Sequence, residues 1–207
     1  MNEPSKIIDP AFLRDLYGEP VPASLVKEVT FLTEPYAQFI QASPFVVIST
    51  AGPGGLDCSP RGGPPGFVRV ADKKTLILPD RSGNNRVDTL SNIAEDGRIA
   101  MLFLVPGMGE TMRVNGRARI SVDADLLASF ADVNGKIPRS AVVVSIESAY
   151  VHCSQSLSRS KLWDPAAQVD RKSMPTIGQM LQACRTEFDG AAYDKRNEEE
   201  GGLIPED

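Results

Sequence analysis

Residues 80–86 combine two arginines with serine and amide side chains, directly before a predicted helix. Unpaired backbone N–H groups and the positive end of the helix dipole bind phosphate at such a position. Gly83 permits a tight turn, and the guanidinium groups can add charge-assisted hydrogen bonds. The segment therefore predicts a phosphate site. The alternative is an ordinary strand–helix connection that is capped by Asn84 or Asn85.

Three other segments carry polar side chains that could contact a ligand. Residues 58–67 combine Arg61 with glycines and prolines, which would let a planar ligand approach the backbone or would simply form a proline-rich turn. One face of the strand predicted over 111–120 carries arginines, which would face either a ligand or solvent. Residues 156–165 place Trp163, the only tryptophan, beside cations and hydroxyls. They predict either a phosphate- or ring-binding edge or a solvated helix end.

The single histidine, His152, and the three scattered cysteines limit the possible metal and nucleophilic chemistry. His152 and Cys153 are adjacent in a predicted strand, so their side chains should point to opposite faces. We therefore favour a partly buried histidine over a catalytic Cys–His dyad. Because the sequence has no Cys-x-x-Cys pair and no Cys/His cluster, neither a metal site nor a disulfide framework is expected.

Composition excludes several classes of protein. The 207 residues are 42% hydrophobic and carry a net charge of −5, which argues against a nucleic-acid-binding protein. The longest apolar run, 99–105, is far shorter than the roughly 20 residues of a membrane-spanning helix. No signal peptide precedes the first elements, so we expect a cytoplasmic protein with no membrane partner.

Hydrophobic periodicity predicts a mainly β protein with peripheral helices. Six segments have the β-branched runs or the alternation of strands: 45–50, 67–70, 75–78, 98–105, 111–120 and 141–151. Six strands with short connections favour an antiparallel barrel, because closure removes exposed sheet edges.

Helical signals lie before, between and after these strands. Thr33 is a capping residue for a helix over 34–42, and further helices are predicted from Arg86 or Val87 to Ala94 and over 123–131. A stripe of apolar residues at helical spacing places Cys184 in a core: Ile177, Met180, Leu181, Cys184 and Phe188. Residues 195–207 are predicted to be a solvated tail.

No internal repeat or second-domain boundary is visible, so we predict a single domain over 1–207. It would consist of a helical N-terminal arm over 1–43, a barrel over 44–152, and an interface and helical segment over 153–207.

Several motifs occur in an order that resembles the FMN-binding split barrels of the pyridoxamine 5′-phosphate oxidase-like family. They are Ser59-Pro60-Arg61-Gly62, then Leu76 to Arg81 followed by Asn84-Asn85-Arg86, then Glu110 to Ala118. Residues 159–165 also resemble a subgroup that is described only as FMN-dependent enzymes. The resemblance covers residues 44–165. It implies a six-stranded antiparallel split β-barrel that forms a homodimer with FMN at the subunit interface.

The resemblance implies roles for residues around the flavin ring. Arg61, in the motif that begins at Ser59, matches an arginine that approaches the flavin. Pro79 and Asp80 match a pair whose backbone lines the isoalloxazine ring.

The resemblance also implies a phosphate site and a contribution from the partner subunit. Asn85 and Arg86 occupy the position of the family's phosphate-holding basic pair, and Arg81 would supply the charge that Asn85 lacks. Thr111 and Arg113 would border the pyrimidine side of the flavin. Four residues would reach the flavin from the partner subunit: Arg159, Ser160, Lys161 and Trp163.

The function implied is that of an FMN-dependent oxidoreductase acting on a small-molecule substrate. The flavin would carry the chemistry, so no catalytic side chain is assigned. The family's Arg-x-His element is absent, which argues against pyridoxamine phosphate as the substrate. Two alternatives remain: a non-catalytic flavin- or haem-binding carrier or sensor, with His152 as the axial haem ligand, and an FMN-free dimeric structural protein.

Overall fold

The computed structural model describes residues 9–81 and 83–199. Its strands are β1 Phe45–Gly52, β2 Gly55–Gly62, β3 Arg69–Asp72, β4 Thr75–Asp80, β5 Arg98–Leu104, β6 Thr111–Ser121 and β7 Ser140–His152. Its helices are α1 Pro10–Tyr17, α2 Pro22–Val26, α3 Glu34–Ala42, α4 Asp88–Glu95, α5 Ala124–Ala128, α6 Gln155–Ser160, α7 Ile177–Cys184 and α8 Gly190–Glu199. Short 3₁₀ turns occur at Pro165–Ala167 and Arg171–Ser173.

The strands form one antiparallel sheet in the order β2-β1-β5-β6-β7-β4-β3. The mainly β architecture with peripheral helices is confirmed. The prediction of six strands is wrong, because the described residues contain seven. Within them the sheet is not closed: β2 and β3 are its two edges.

The strand that the sequence pattern did not reveal is β2. Its sequence contains Pro60 and ends in glycine, and both residue types are rare in strand interiors. Pro60 pairs with Val47 of β1, and β2 has no other neighbour among the strands of the described ranges. An edge strand tolerates proline because one side of its backbone needs no ladder partner.

The alternation along β6 is confirmed. Val114 and Ala118 are buried in the core, whereas Arg117 and Arg119 are exposed. The exception is Thr111, which lies on the predicted polar face and is only 7% exposed. The core itself is built from side chains of the sheet, of α3 and α4, and of the segments before α3 and β3. Its largest fully buried members include Phe103, Leu32, Ile40, Ile48 and Met101.

The predicted helix over 34–42 is confirmed, and the Thr33 side chain caps it. Helix α4 begins at Asp88, later than predicted, and neither asparagine of the preceding loop caps it. This helix packs closely on the β1–β2 hairpin. A Cβ atom at Gly52 would overlap Oδ1 of Asn92, so a larger residue would displace the Asn92 side chain.

The C-terminal helices differ from the prediction. Cys184 is exposed and does not belong to a core. Helices α7 and α8 meet through their glycines: a Cβ atom at Gly178 would overlap the carbonyl oxygen of Gly190. The apolar stripe of α7 is therefore not the contact face. Residues 195–199 belong to α8 and not to a tail, and the rest of that predicted tail lies outside the described residues.

None of the helices in the described ranges is both long enough and apolar enough to cross a membrane.

Candidate functional site

A cleft of about 1000 Å³ opens between β2, the end of β4, the loop before α4 and the segment that leads into β7. Its volume is at the upper end of the range typical of small-molecule sites, about 300–1,000 Å³. Seven predicted ligand residues line this cleft: Ser59, Arg61, Pro79, Asp80, Arg81, Asn85 and Arg86. Six others do not line it: Thr111, Arg113, Arg159, Ser160, Lys161 and Trp163.

The strand pairing explains how distant segments reach the cleft. Asp80 at the end of β4 pairs with Ser140 at the start of β7. This register brings Lys136 and Arg139 beside the end of β4, and both line the cleft. Helix α4, which packs on β1 and β2, places the loop 83–87 at the other side.

Counted over the described residues that line the cleft, positive charge exceeds negative charge, although the whole chain is acidic. The basic side chains that line it are Arg61, Arg81, Arg86, Lys136 and Arg139. The carboxylates that line it are Asp57, Asp80 and Asp88. Such a local excess of cations attracts an anionic ligand, because the walls of a cleft focus the field of its charges.

The loop before α4 contains a residue in a left-handed conformation. Asn85 has a φ of 58°, which asparagine tolerates better than lysine or arginine. The left-handed backbone at this position therefore favours asparagine over a longer basic side chain. The side-chain oxygen of Asn84 accepts a hydrogen bond of 3.0 Å from the backbone N–H of Arg86.

The two arginines of this loop differ in how firmly they are held. Nε of Arg86 donates to Asp88 at 2.8 Å, but both side chains are largely exposed. An exposed ion pair contributes at most about 1 kcal/mol, so a ligand can replace it. Arg81, in contrast, donates to the carbonyl oxygen of Phe130 at 3.3 Å and lies 4.0 Å from Asp132.

A hydrogen-bonded network forms the β2 side of the cleft. Nη2 of Arg61 donates to Oγ1 of Thr89 at 3.3 Å, and the Thr89 hydroxyl donates to Oδ2 of Asp57. The Ser59 hydroxyl donates to the same carboxylate at 3.0 and 3.1 Å. Asp57 and Thr89 were not predicted as site residues. The spacing along β2 could have identified Asp57. It lies two residues before Ser59 and four before Arg61, so the three side chains share one face of the strand.

Asp80 lies half buried in the cleft between two arginines. Burial raises the pKa of its carboxyl group above 3.8, and the charges of Arg61 and Arg139 partly oppose this effect. Burial dominates because it disfavours the charged form of the carboxyl group.

Thr111 and Arg113 lie on β6, in a second cluster. Nη1 of Arg113 donates to the hydroxyl of Tyr150 at 2.8 Å, and its guanidinium group lies 5.3 Å from the centre of the Tyr150 ring. Nζ of Lys27 lies 6.0 Å from the same ring centre. Thr111 pairs with His152, which ends β7.

His152 is packed against Tyr150, with 5.3 Å between the ring centres. Its Nε2 atom is buried and has no hydrogen-bond partner within the described part of the chain. Burial, together with the charges of Arg113 and Lys27, lowers the pKa of His152 below 6.5. Cys153 is exposed.

The predicted partner-subunit residues lie at the end of α6 and just beyond it. Lys161 ends this helix in a left-handed conformation, with a φ of 50°. Nε1 of Trp163 donates to the carbonyl oxygen of Met108 at 2.7 Å, and the tryptophan remains 37% exposed. Arg159 is exposed, and the Ser160 hydroxyl donates to the preceding turn of its own helix. Whether these residues contact a ligand across an interface stays a prediction.

The chemistry that the cleft supports is binding and orientation. Its basic side chains and loop N–H groups suit a phosphate, whereas Arg61, Asp80 and the backbone of Pro79 suit a polar ring system. Among the described residues no group of three or more His, Cys, Asp or Glu side chains could hold a metal ion.

Several solved structures are similar to this chain over more than half its length. HupZ from Group A Streptococcus is 19% identical, with coverage of 57% of this chain and 91% of that one and a TM-score of 0.48. General Stress Protein 26 from Bacillus anthracis is 15% identical, with coverage of 57% and 91% and a TM-score of 0.44. An F420 reductase is 14% identical, with coverage of 58% and 98% and a TM-score of 0.42. Likeness at this level does not assign a function.

No curated protein sequence matches the chain. The family model for pyridoxamine 5′-phosphate oxidase matches residues 32–153, which is more than half of the chain and includes β1 to β7. This match spans the strands and the loop that form the cleft, and the chain belongs to the pyridoxamine 5′-phosphate oxidase family.

Proposed function

We propose that this protein is an FMN-binding flavoprotein that acts as an FMN-dependent oxidoreductase on a small-molecule substrate. The observation that carries the proposal is the cleft, in which seven residues predicted to bind FMN lie together with an excess of basic side chains. FMN is an anion with a planar ring, so it needs both a cationic end and a polar, close-packed end.

The phosphate end of the proposed site is the loop before α4. Arg86 is available because its ion pair with Asp88 is exposed and exchangeable. Asn85 bends the loop, so that neighbouring N–H groups can turn toward the cleft, and Arg81 and Lys136 add positive charge. Charge-assisted hydrogen bonds from this set would hold the phosphate dianion.

The ring end of the proposed site lies between β2 and the end of β4. Arg61 lines the cleft from β2, while Pro79 and Asp80 line it from β4. When bound, FMN supplies hydride and electron transfer to the site. The protein would orient the ring, and the Arg61 guanidinium would stabilise negative charge that develops on it.

We also propose that the protein is a homodimer, in which residues at the end of α6 contribute to the site of the partner subunit. Arg159, Ser160, Lys161 and Trp163 would cover the ring end of a cleft in the partner subunit, and Thr111 and Arg113 would border its pyrimidine side. A half-exposed tryptophan beside cations is typical of an interface anchor.

Haem binding through His152 receives less support than flavin binding. Iron would have to reach Nε2 of His152, and this atom is buried within the described part of the chain. The cleft, with its cation excess, does not include His152.

Titration of the purified apoprotein with FMN tests the proposal. We expect one FMN per chain, with quenched flavin fluorescence and a shifted flavin absorption band. Oxidation of NADH or NADPH faster than with free FMN would distinguish an enzyme from a carrier. A protein that leaves the FMN spectrum unchanged, or that shows a haem Soret band instead, would contradict the proposed function.

A further inference from the structure

We propose that Asp57 and Thr89 form a hydrogen-bond relay that holds Arg61 in the orientation in which it contacts a ligand in the cleft. Asp57 and Thr89 are positioning residues in this account, because they act through Arg61. The inference rests on the proposed function in one respect: the ligand of Arg61 is taken to be FMN.

The direction of the protons in the relay is fixed by the groups that form it. A guanidinium group can only donate, so Oγ1 of Thr89 must accept from Nη2 of Arg61, over 3.3 Å. The single Thr89 proton is then free to point at Oδ2 of Asp57, which accepts it. Each group therefore has one role as donor or acceptor. If the Thr89 hydroxyl proton pointed at Arg61 instead, both hydrogen bonds would be lost.

Burial and anchoring make the relay rigid. Thr89 is only 5% exposed and lies in the first turn of α4. Both oxygens of the Asp57 carboxylate accept from Ser59, which fixes the carboxylate on β2. The relay thereby connects the β2 side of the cleft to the helix that follows the loop 83–87.

Arg61 keeps donors for a ligand. Within the described structure Nη1 donates to the carbonyl oxygen of Pro60 at 2.9 Å and Nη2 donates to Thr89. A guanidinium group has five N–H donors, so the remaining donors can serve a ligand in the cleft. Holding a long side chain in its bound orientation before binding avoids an ordering cost, which corresponds to about 2- to 12-fold in affinity.

The test compares Thr89→Val with Thr89→Ser. Valine keeps the shape but removes the hydroxyl, and we expect the FMN dissociation constant to rise about 2- to 12-fold. Serine keeps the hydroxyl, and affinity should be restored to near the wild-type value. Thr50→Val is the matched control: Thr50 is also buried and its Oγ1 accepts from Asn92 of α4 at 3.2 Å, but it does not line the cleft. Its FMN affinity should equal that of the wild type.

A double-mutant cycle distinguishes positioning from a general structural role. In an Arg61→Ala background, Thr89→Val should cause no further loss of FMN affinity, because there is no guanidinium group left to orient. An equal loss in both backgrounds, or a loss in Thr50→Val as large as in Thr89→Val, would overturn the relay.

The relay also has a readout that does not involve FMN. In urea unfolding of the free protein, Asp57→Ala and Arg61→Ala should be non-additive, and their coupling should disappear when Thr89 is valine. Additive effects would overturn the relay. If the variants show this coupling but the wild-type protein binds no FMN, the relay stands and only the proposed function is contradicted.

Discussion

The residues predicted to bind FMN divide into two regions with different surroundings. In the cleft, Arg61 of β2 and the two loop arginines, Arg81 and Arg86, line one common space. Around α6 and β6, Arg113 is engaged with Tyr150 and Trp163 with Met108, and neither lines that cleft. One chain therefore assembles only part of the set. In the proposed function, the phosphate end is built within one subunit and the cover of the ring comes from a second one.

The largest expected effect is that of Arg86→Ala on FMN binding. Removing a charge-assisted hydrogen bond costs about 1.5–3 kcal/mol, so FMN affinity should fall roughly 10- to 150-fold. Riboflavin lacks the phosphate, and its affinity should not change. Arg98→Ala is the matched control, because Arg98 is also exposed and pairs with an aspartate two residues away, but outside the cleft. Equal losses for FMN and riboflavin would exclude Arg86 as a phosphate ligand.

The next largest effect concerns the second region. Trp163→Ala should weaken the dimer about 30-fold and FMN binding with it, as expected for an interface anchor worth about 2 kcal/mol. Sedimentation over a dilution series, with and without FMN, measures the dimer dissociation constant and the fraction of chains that carry FMN. Cys184→Ala serves as the control, because Cys184 is exposed on α7 and should affect neither. A wild-type protein that binds FMN tightly as a monomer would contradict a shared site.

A smaller effect is expected when Asn85 is replaced by lysine, which would make residues 85 and 86 both basic. The left-handed backbone at Asn85 penalises a lysine by about 1 kcal/mol. The melting temperature of the apoprotein should therefore fall by about 2–4 °C, and FMN affinity should not improve. Asn85→Gly, which suits a φ of 58°, should not lower the melting temperature as far. A tighter-binding, fully stable lysine variant would contradict the backbone explanation.

The smallest effect is the pH dependence from Asp80. Because burial raises the pKa of Asp80 in the folded protein above 3.8, folding favours its neutral form. Its contribution to the free energy of unfolding therefore falls as the pH rises from about 3.8 through the folded pKa. Asp80→Asn should unfold at a slightly higher temperature than the wild type at pH 7. This difference should vanish near pH 3.5, in calorimetry of the apoproteins, and a difference that grows toward acid pH would contradict the sign.

Much of the sheet could be predicted because alternation and β-branched runs report burial directly. The helix from Glu34 and the strands over most of β1, β4, β5, β6 and β7 follow from local pattern. Strand β2 could not be predicted in this way, since Pro60 is acceptable only at an edge, and edge position is a property of the whole sheet. The exposure of Cys184 could not be predicted for a related reason. An apolar stripe on a helix indicates a contact face, but it does not show whether another element of the chain covers that face.

The residues that line the cleft could be predicted where they lie close together in the sequence. Arg81, Asn85 and Arg86 lie within one short loop, so their grouping was visible before the fold was known. Lys136 and Arg139 join them only through the pairing of Asp80 with Ser140, which local sequence does not encode.

The most direct test combines, in one dimer, a variant of the cleft with a variant of the α6 region. Co-expression of differently tagged Arg86→Ala and Trp163→Ala chains yields a heterodimer in which one site carries both defects and the other carries none. Random pairing of the two chains should restore about a quarter of all sites to wild-type FMN affinity, because a two-fold dimer exchanges the same surfaces. Each variant alone should show no such sites. A mixture that binds FMN no better than the separate variants would contradict a site shared between the cleft of one chain and the α6 region of its partner.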